Sequence, residues 1–281
     1  MPNDQYSRQA GRIEQRAIER DFVAQLSPDE KTRQKAEATA ARLLQSSVRR
    51  ISSIGVAATA LLAVIGWSLL AEPVHAQSGP TAANYQLLTP RGAGPFPAVV
   101  VLHGCSGIDA KLRSWAGRLV GWGYAALIVD SFRSRGLGNI CAQTEALSFS
   151  ARAGDAVAAK AYLQSLPNIA KGPIGLIGFS HGGGAALAAA PSFDAVVAFY
   201  PWCSGSVPAN TLVLIGSADD WTPAARCSGD AANLKVYAGA THSFDRPDRR
   251  INVGHLEIPD AAAARDAVSR TRQFLASHLG R

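Results

Sequence analysis

From position 98 to position 279 the chain alternates short apolar segments with longer amphipathic ones. The apolar segments have the length of buried strands, and the amphipathic segments carry apolar residues at helical spacing. The pattern predicts strands at 98–103, 124–129, 174–179, 195–200, 211–216 and 233–237. It predicts helices at 110–121, 145–166, 182–190, 223–231 and 260–279. Because strands that alternate with helices pair in parallel and are covered on both faces, we expect one domain with a mostly parallel, doubly wound α/β sheet.

The pentapeptide Gly-Phe-Ser-His-Gly at 178–182 joins a predicted strand to a predicted helix. In a nucleophile elbow, a serine on such a turn projects its hydroxyl from a strained backbone, and the flanking glycines avoid collisions with the neighbouring strand and helix. The motif makes Ser180 a candidate nucleophile for acyl transfer. The same pattern also occurs in ordinary strand-turn-helix links, in which Ser180 would only cap the helix.

A catalytic serine requires a histidine that removes its proton and a carboxylate that orients the histidine. In α/β-hydrolases the acid and then the histidine follow the serine along the chain. Asp219 and Asp220 follow the strand at 211–216, and His242 follows the strand at 233–237. Either aspartate is a candidate for the acid. His242 is the favoured base among the six histidines, because the others lie in the leader, the elbow, the first strand-end loop or polar and terminal stretches.

The oxyanion that forms during acyl transfer requires donors, usually two backbone N–H groups. One is expected from His181, the residue after the nucleophile, and the other from the loop after an early strand. The loop at 102–107 is such a loop, and we assign its donor to the N–H of Cys105. A simple turn made by Gly104 and Gly107 is compatible with this assignment.

Taken together, these segments resemble the dienelactone hydrolase family of α/β-hydrolases, over roughly residues 84–279. The residues that carry the resemblance are those at 97–104, 130–132, 178–182, 219–223 and 241–244. In the family the triad carboxylate is followed by a proline four positions later, which Asp219 with Pro223 matches and Asp220 does not. The resemblance therefore implies a triad of Ser180, His242 and Asp219 that cleaves carboxylic esters or lactones.

Two departures from the family pattern concern the substrate. The namesake enzymes carry a cysteine nucleophile where this chain has Ser180, and a glutamate near the position of Gly104. Both differences disfavour dienelactone itself and leave ester hydrolysis intact. No insertion in the chain is long enough for a large lid. We therefore expect an α/β-hydrolase fold with an open site for substrates of modest size.

Four further residues are candidates for substrate contact. The resemblance implies that the loop with Arg133 and Arg135 can contact a substrate carboxylate, for which a guanidinium fork is suited. The same arginines are also compatible with solvation or with pairing to surface acids. Trp202 and Trp221 lie on loops near the same sheet edge. They are expected either to form an apolar wall of the site or to serve ordinary loop packing.

The first part of the chain has a different composition. Residues 1–50 are polar and basic, and residues 51–70 form an uncharged run that is preceded by two arginines and followed by a small-x-small step ending at Ala76. Residues 51–76 are therefore predicted to be a signal peptide or a single membrane anchor. In both cases the catalytic domain, residues 77–281, would be exported: periplasmic or secreted, or anchored outside the inner membrane. Residues 1–50 would be a cytoplasmic tail or a misassigned start.

Cysteine usage agrees with export. All four cysteines lie in the expected exported part, and an even number in an oxidising compartment permits two disulfides. We favour Cys105 with Cys141 and Cys203 with Cys227, because each pair would join neighbouring loops at the functional edge of the sheet. Free buried thiols are the alternative. No two cysteines have the close spacing of a zinc or redox site, so no metal is expected.

Charge and glycine patterns exclude other function classes. The formal net charge is +7, but the basic residues are scattered and no nucleic-acid motif is present. The glycines at 178–184 lack the lysine of a phosphate loop, so no cofactor is expected. The expected partner is a small-molecule ester or lactone, with membrane contact only through an uncleaved N-terminal segment. The alternatives are a non-catalytic exported binding protein on the same fold, or a peptidase or acyltransferase with the same triad.

Overall fold

A seven-stranded sheet lies at the centre of the structure, a computed structural model that describes residues 79–280. The strands within this range are β1 Tyr85–Leu88, β2 Phe96–Leu102, β3 Ala125–Val129, β4 Ile169–Phe179, β5 Ala195–Phe199, β6 Gly205–Ser206, β7 Thr211–Gly216, β8 Cys227–Ser228, β9 Leu234–Tyr237, β10 Arg250–Asn252 and β11 His255–Glu257. The large sheet has the order β1-β3-β2-β4-β5-β7-β9. Only its edge strand β1 is antiparallel to its neighbour, and all other pairs are parallel. The prediction of a mostly parallel α/β sheet is confirmed.

Within residues 79–280, four α-helices cover the two faces of this sheet: α1 Ala110–Gly121, α2 Phe149–Ser165, α3 His181–Ala189 and α4 Ala261–Leu279. Three of them begin at a polar side chain that accepts hydrogen bonds from backbone N–H groups of the first turn. These caps are Asp109 before α1, Ser148 before α2 and Asp260 before α4. Because the first N–H groups of a helix have no partner within the helix, such residues determine where the helices start.

Alternate residues of the central strands pack against different helices. On β2, Val99 and Val101 belong to the core formed with α1 and α4, whereas Val100 and Leu102 belong to the core formed with α2 and α3. All four side chains are fully buried. A strand that is buried on both faces is apolar throughout, which explains why the sequence shows continuous rather than alternating apolar runs.

The structure differs from the sequence prediction in several elements. No α-helix forms at 223–231, where a 3₁₀ turn at Ala224–Arg226 leads directly into β8. Here β8 pairs with β6, and Asp230 then accepts two backbone N–H bonds in a turn, so the segment is extended rather than helical. The helix expected at 145–166 starts only at Phe149. Edge strand β1 and the β10–β11 hairpin were not predicted, because short half-exposed strands have a weak sequence pattern.

The structure contains the two expected disulfides, and no free cysteine occurs within residues 79–280. Cys105 pairs with Cys141, which joins the loop after β2 to the segment before α2. Cys203 pairs with Cys227, which joins the loop after β5 to β8. Both predicted pairings are confirmed. Their presence is consistent with a protein that folds in an oxidising compartment.

The expectations for residues 1–50 and 51–76 fall outside the described residues. Within 79–280, none of the helices combines the length and the apolar character needed to cross a membrane.

We expect Gly178→Ala to destabilise the fold by about 1–3 kcal/mol, because its Cβ would lie 2.1 Å from the carbonyl oxygen of Gly182. The matched control is Gly117→Ala, on an exposed position of α1 where a Cβ meets no atom within 4 Å. The control is expected to be neutral or to stabilise by up to about 1 kcal/mol, as alanine does in a helix. Urea unfolding of both variants measures the difference. Equal midpoints would contradict this account of the turn.

Candidate active site

Ser180 lies at the turn between β4 and α3 in a strained backbone conformation, with φ 55° and ψ −118°. Non-glycine residues in such regions cost on the order of 1–3 kcal/mol, so the surrounding packing must hold the turn. The packing is close because a Cβ on Gly182 would lie 2.4 Å from the carbonyl oxygen of His103 at the end of β2. The glycine therefore lets the start of α3 approach β2, and the serine hydroxyl projects beyond the sheet edge.

Ser180, His242 and Asp219 form a continuous chain of hydrogen bonds. The Ser180 hydroxyl lies 2.9 Å from His242 Nε2, and His242 Nδ1 lies 2.8 Å from Asp219 Oδ2. A proton on Nδ1 is donated to the carboxylate, which leaves Nε2 free to accept the serine proton. His242 and Asp219 are both buried, with 1% and 4% of their surfaces exposed. The three side chains thus have the arrangement that activates a serine nucleophile.

Asp219 and Asp220 have different surroundings. Asp219 Oδ1 accepts the backbone N–H groups of Trp221, at 3.0 Å, and Thr222, at 2.8 Å. The Thr222 hydroxyl donates to Asp219 Oδ2 at 2.8 Å. Asp220 instead has 64% of its side chain exposed and lies 3.2 Å from His255 Nδ1. The chain therefore turns only Asp219 toward His242, and backbone donors fix that carboxylate in place.

The loop that was expected to supply an oxyanion donor lies beside the nucleophile. A Cβ placed on Gly104 would be 3.6 Å from Ser180 Cβ, so the next residue, Cys105, is adjacent to the reaction centre. Cys105, His181 and Ser180 line the same cavity. His181 is also the first residue of α3, where the helix dipole favours negative charge. This arrangement is compatible with the two N–H donors assigned from the sequence.

Arg152 on α2 is a part of this site that the sequence analysis missed. Its guanidinium is fully buried and donates to the His103 carbonyl oxygen at 2.7 Å and to His181 Nδ1 at 3.0 Å. His181 Nε2 in turn donates to the Thr144 carbonyl oxygen at 2.9 Å. One buried cation therefore connects the strand end before Cys105 with the residue after the nucleophile. An arginine on the apolar face of a predicted helix is the signal that could have indicated it.

Burial keeps the two histidines next to Arg152 neutral. Desolvation, followed by the charge of Arg152, lowers the pKa of His181 from 6.5 to about 4. The same two causes hold the pKa of His103 well below its usual range. Burial also lowers the pKa of Arg152 to about 9. At neutral pH, Arg152 therefore remains charged and His181 Nδ1 remains an acceptor, as the hydrogen bond requires.

The structure places the two loop arginines away from Ser180. Arg135 forms a buried bidentate ion pair with Asp155, with both N···O distances at 2.8 Å, and also donates to the Ser131 carbonyl oxygen. Arg133 is exposed, and neither arginine lines a cavity that contains Ser180. The substrate contact expected of them therefore has no support in this arrangement, because the guanidinium of Arg135 is occupied by Asp155.

Two cavities meet at Ser180. The first, which we call the apolar cavity, has a volume of about 390 Å³ and contains both candidate tryptophans, Trp202 and Trp221. The second, which we call the polar cavity, has a volume of about 30 Å³ and is lined by charged side chains and by His242. Trp221 lies between them, with its ring centroid 5.0 Å from that of His242. Ser180 therefore borders both a largely apolar and a more polar cavity.

Comparisons with known proteins concern the family and the fold. The model of the dienelactone hydrolase family matches residues 84–279. A search of curated proteins gave no match. Among solved structures, a protein of Klebsiella pneumoniae named as a dienelactone hydrolase is 19% identical, with a TM-score of 0.53. The match covers 68% of this chain and 92% of the Klebsiella chain. A dienelactone hydrolase of Anabaena variabilis is 22% identical, with a TM-score of 0.50, and the match covers 69% of this chain and 91% of the Anabaena chain. At these identities the two structures support the α/β-hydrolase fold alone.

Asp219→Asn is expected to lower kcat by roughly 10³–10⁴-fold, because an amide favours the wrong tautomer of His242. The matched control is Asp220→Asn, which changes the same group on the neighbouring, exposed residue and should retain nearly full activity. Ester hydrolysis followed by pH-stat measures both variants. A large loss in the Asp220 variant with activity retained in the Asp219 variant would refute the assignment.

The stability that neutral His181 contributes is expected to be present above pH 6.5 and to decline as the pH falls toward 4. In this window the unfolded chain binds a proton at position 181 that the folded protein does not bind. His181→Gln removes this group, so its Tm should fall less between pH 6.5 and pH 4 than that of the unchanged protein. Parallel Tm curves for the two proteins would contradict the depressed pKa.

Proposed function

The chain belongs to the dienelactone hydrolase family, and we propose that it is a serine hydrolase that cleaves carboxylic esters or lactones through an acyl-enzyme intermediate. Family membership indicates a hydrolase that acts on small molecules. The observation that carries the finer proposal is the hydrogen-bond chain from Ser180 through His242 to Asp219, with distances of 2.9 Å and 2.8 Å.

In the proposed reaction, Ser180 Oγ attacks the carbonyl carbon of the ester while His242 Nε2 accepts its proton. Asp219 accepts a hydrogen bond from Nδ1 and stabilises the imidazolium that forms. The backbone N–H groups of His181 and Cys105 hold the developing oxyanion. The bond to the alcohol oxygen then breaks, and His242 donates its proton to that oxygen. Water attacks the acyl-enzyme by the same sequence of proton transfers and releases the acid.

Arg152 supports the oxyanion site in this proposal without contacting the substrate. It donates to the His103 carbonyl oxygen and to the His181 side chain, so it fixes the two backbone segments that carry the proposed donors. Donors that are fixed before the reaction cost no reorganisation when charge develops. Because His181 is neutral, Arg152 carries the charge of this hydrogen-bonded pair.

We extend the proposal to organisation and location. Residues 77–281 would form the catalytic domain, preceded by a signal peptide or membrane anchor at 51–76. Two disulfides in the described domain support export to a periplasmic or extracellular location.

The test uses a fluorophosphonate, which reacts only with an activated serine and releases fluoride. We expect stoichiometric labelling of the unchanged protein and none of Ser180→Ala, together with hydrolysis of short methyl esters that the variant lacks. Ser131→Ala, at a buried serine outside both cavities, is the matched control and should be labelled normally. An unlabelled, folded protein that hydrolyses no ester would refute the serine hydrolase proposal and favour a binding protein on the same fold.

A further inference from the structure

The position of His242 determines which part of an ester enters which cavity. During breakdown of the tetrahedral intermediate, the alcohol oxygen must lie near His242 Nε2, which donates the proton. Among the described residues, His242 lines the polar cavity and does not line the apolar cavity. In the proposed mechanism the oxyanion accepts hydrogen bonds from the N–H groups of Cys105 and His181, so neither the acyl chain nor the alcohol occupies that position. The remaining substituent of the carbon, the acyl chain, is therefore directed into the apolar cavity.

The volumes of the two cavities differ by more than tenfold. A cavity of about 150 Å³ is large enough to bind benzene, so the apolar cavity of about 390 Å³ can hold an aromatic ring with a short linker. The polar cavity, at about 30 Å³, is much smaller and matches a group near the size of a water molecule or a methyl group. The site can therefore admit a bulky acyl group and a small alcohol.

Aromatic and aliphatic side chains form much of the wall of the apolar cavity, which the exposed Glu145 also lines. Leu147 and Phe149 line it at the start of α2, and Trp202 and Trp221 line it from the loops after β5 and β7. Trp202 is 39% exposed, so part of its ring is accessible to a ligand. Rings with flat faces bind aromatic groups by offset or edge-to-face contacts.

The tryptophan wall is held in place before any ligand binds. The Arg226 guanidinium lies 4.1 Å from the centroid of the Trp202 ring and donates to the Cys203 carbonyl oxygen at 3.3 Å. The disulfide between Cys203 and Cys227 joins the residues that follow Trp202 and Arg226 in sequence. A wall that is already ordered loses little entropy on binding, which favours affinity for the ring.

The opposite wall is fixed by the other disulfide. Cys105 lines the apolar cavity and is bonded to Cys141, which precedes the turn that carries Thr144. The Thr144 carbonyl oxygen accepts the hydrogen bond from His181 Nε2, so this turn is tied to the start of α3. A disulfide therefore borders the apolar cavity on each side.

The polar cavity has the opposite character. Arg246 pairs with Asp109 at 2.9 Å, and Arg250 pairs with Glu257 at 2.6 Å. Moving an apolar ring against these ion pairs would remove water from them without replacing its hydrogen bonds. A small alcohol retains a hydroxyl that can bond there.

On these observations, and resting on the proposed serine hydrolase function, we propose that the apolar cavity is the acyl-binding site and that the substrates are esters of arylalkyl carboxylic acids with small alcohols.

Two isomeric esters test the proposal. Methyl phenylacetate and benzyl acetate have the same composition, but the ring lies on the acyl side in the first and on the alcohol side in the second. Their leaving alcohols are similarly basic, so chemical reactivity differs little. We expect kcat/KM to be at least about tenfold higher for methyl phenylacetate, which corresponds to about 1.4 kcal/mol of preferential transition-state binding. Equal values or a preference for benzyl acetate would overturn the proposal.

Variants of the wall give a second readout. Trp202→Ala should lower the kcat/KM ratio of methyl phenylacetate to methyl acetate by about five- to tenfold, and Trp202→Phe should restore most of it. Val236→Ala, at an exposed position of β9 that lines neither cavity, is the control and should leave the ratio unchanged. An unchanged ratio in Trp202→Ala would refute the acyl-side assignment.

The fluorophosphonate result separates this proposal from the proposed function. If Ser180 is labelled but methyl phenylacetate is not hydrolysed, the serine is active and only the substrate assignment fails. If Ser180 is not labelled and neither ester is hydrolysed, the serine hydrolase proposal fails, and the substrate assignment fails with it.

Discussion

The close approach of α3 to the ends of β2 and β4 is the constraint on which the rest of the active site depends. A Cβ at Gly178 would lie 2.1 Å from the Gly182 carbonyl oxygen, and a Cβ at Gly182 would lie 2.4 Å from the His103 carbonyl oxygen. Only glycine allows the three segments to meet at these distances. The contact accompanies the strained conformation of Ser180 and brings this serine, the start of α3 and the loop after β2 together.

Strain at Ser180 must be offset by interactions that keep the neighbouring loops in position. Arg152 contributes hydrogen bonds to the His103 carbonyl oxygen and the His181 side chain from within the core. Burying a cation is costly unless polar groups surround it. The two acceptors therefore offset the desolvation of Arg152, and Arg152 in turn holds both acceptors in position. Arg135 is a second buried guanidinium on the same side of the sheet, and its ion pair with Asp155 neutralises its charge.

The two disulfides act on the loops that the helices do not hold. One joins Cys105 to the segment before α2, and the other joins the segments that carry Trp202 and Arg226. Cross-links restrict the unfolded chain as well as the loops of the folded protein. Here they border the apolar cavity on both sides. The same disulfides that are consistent with an oxidising compartment therefore also shape the space beside Ser180.

The sequence pattern predicted six of the seven strands of the main sheet and the four helices that cover it, because buried parallel strands and amphipathic helices leave a local periodic pattern. It also indicated Ser180 and His242, because the elbow and the loop after the last sheet strand are short motifs with specific spacing. It indicated the cysteine pairs as well, because few pairings were compatible with the loops. The folded structure was needed to show that Arg135 pairs with Asp155, that Arg152 is buried beside His181, and that 223–231 is not helical. It also decided the sizes of the two cavities. These features depend on which distant segments come together. Packing between helices and strands sets the direction of a side chain and the shape of a cavity, and the sequence pattern within a single helix or strand does not.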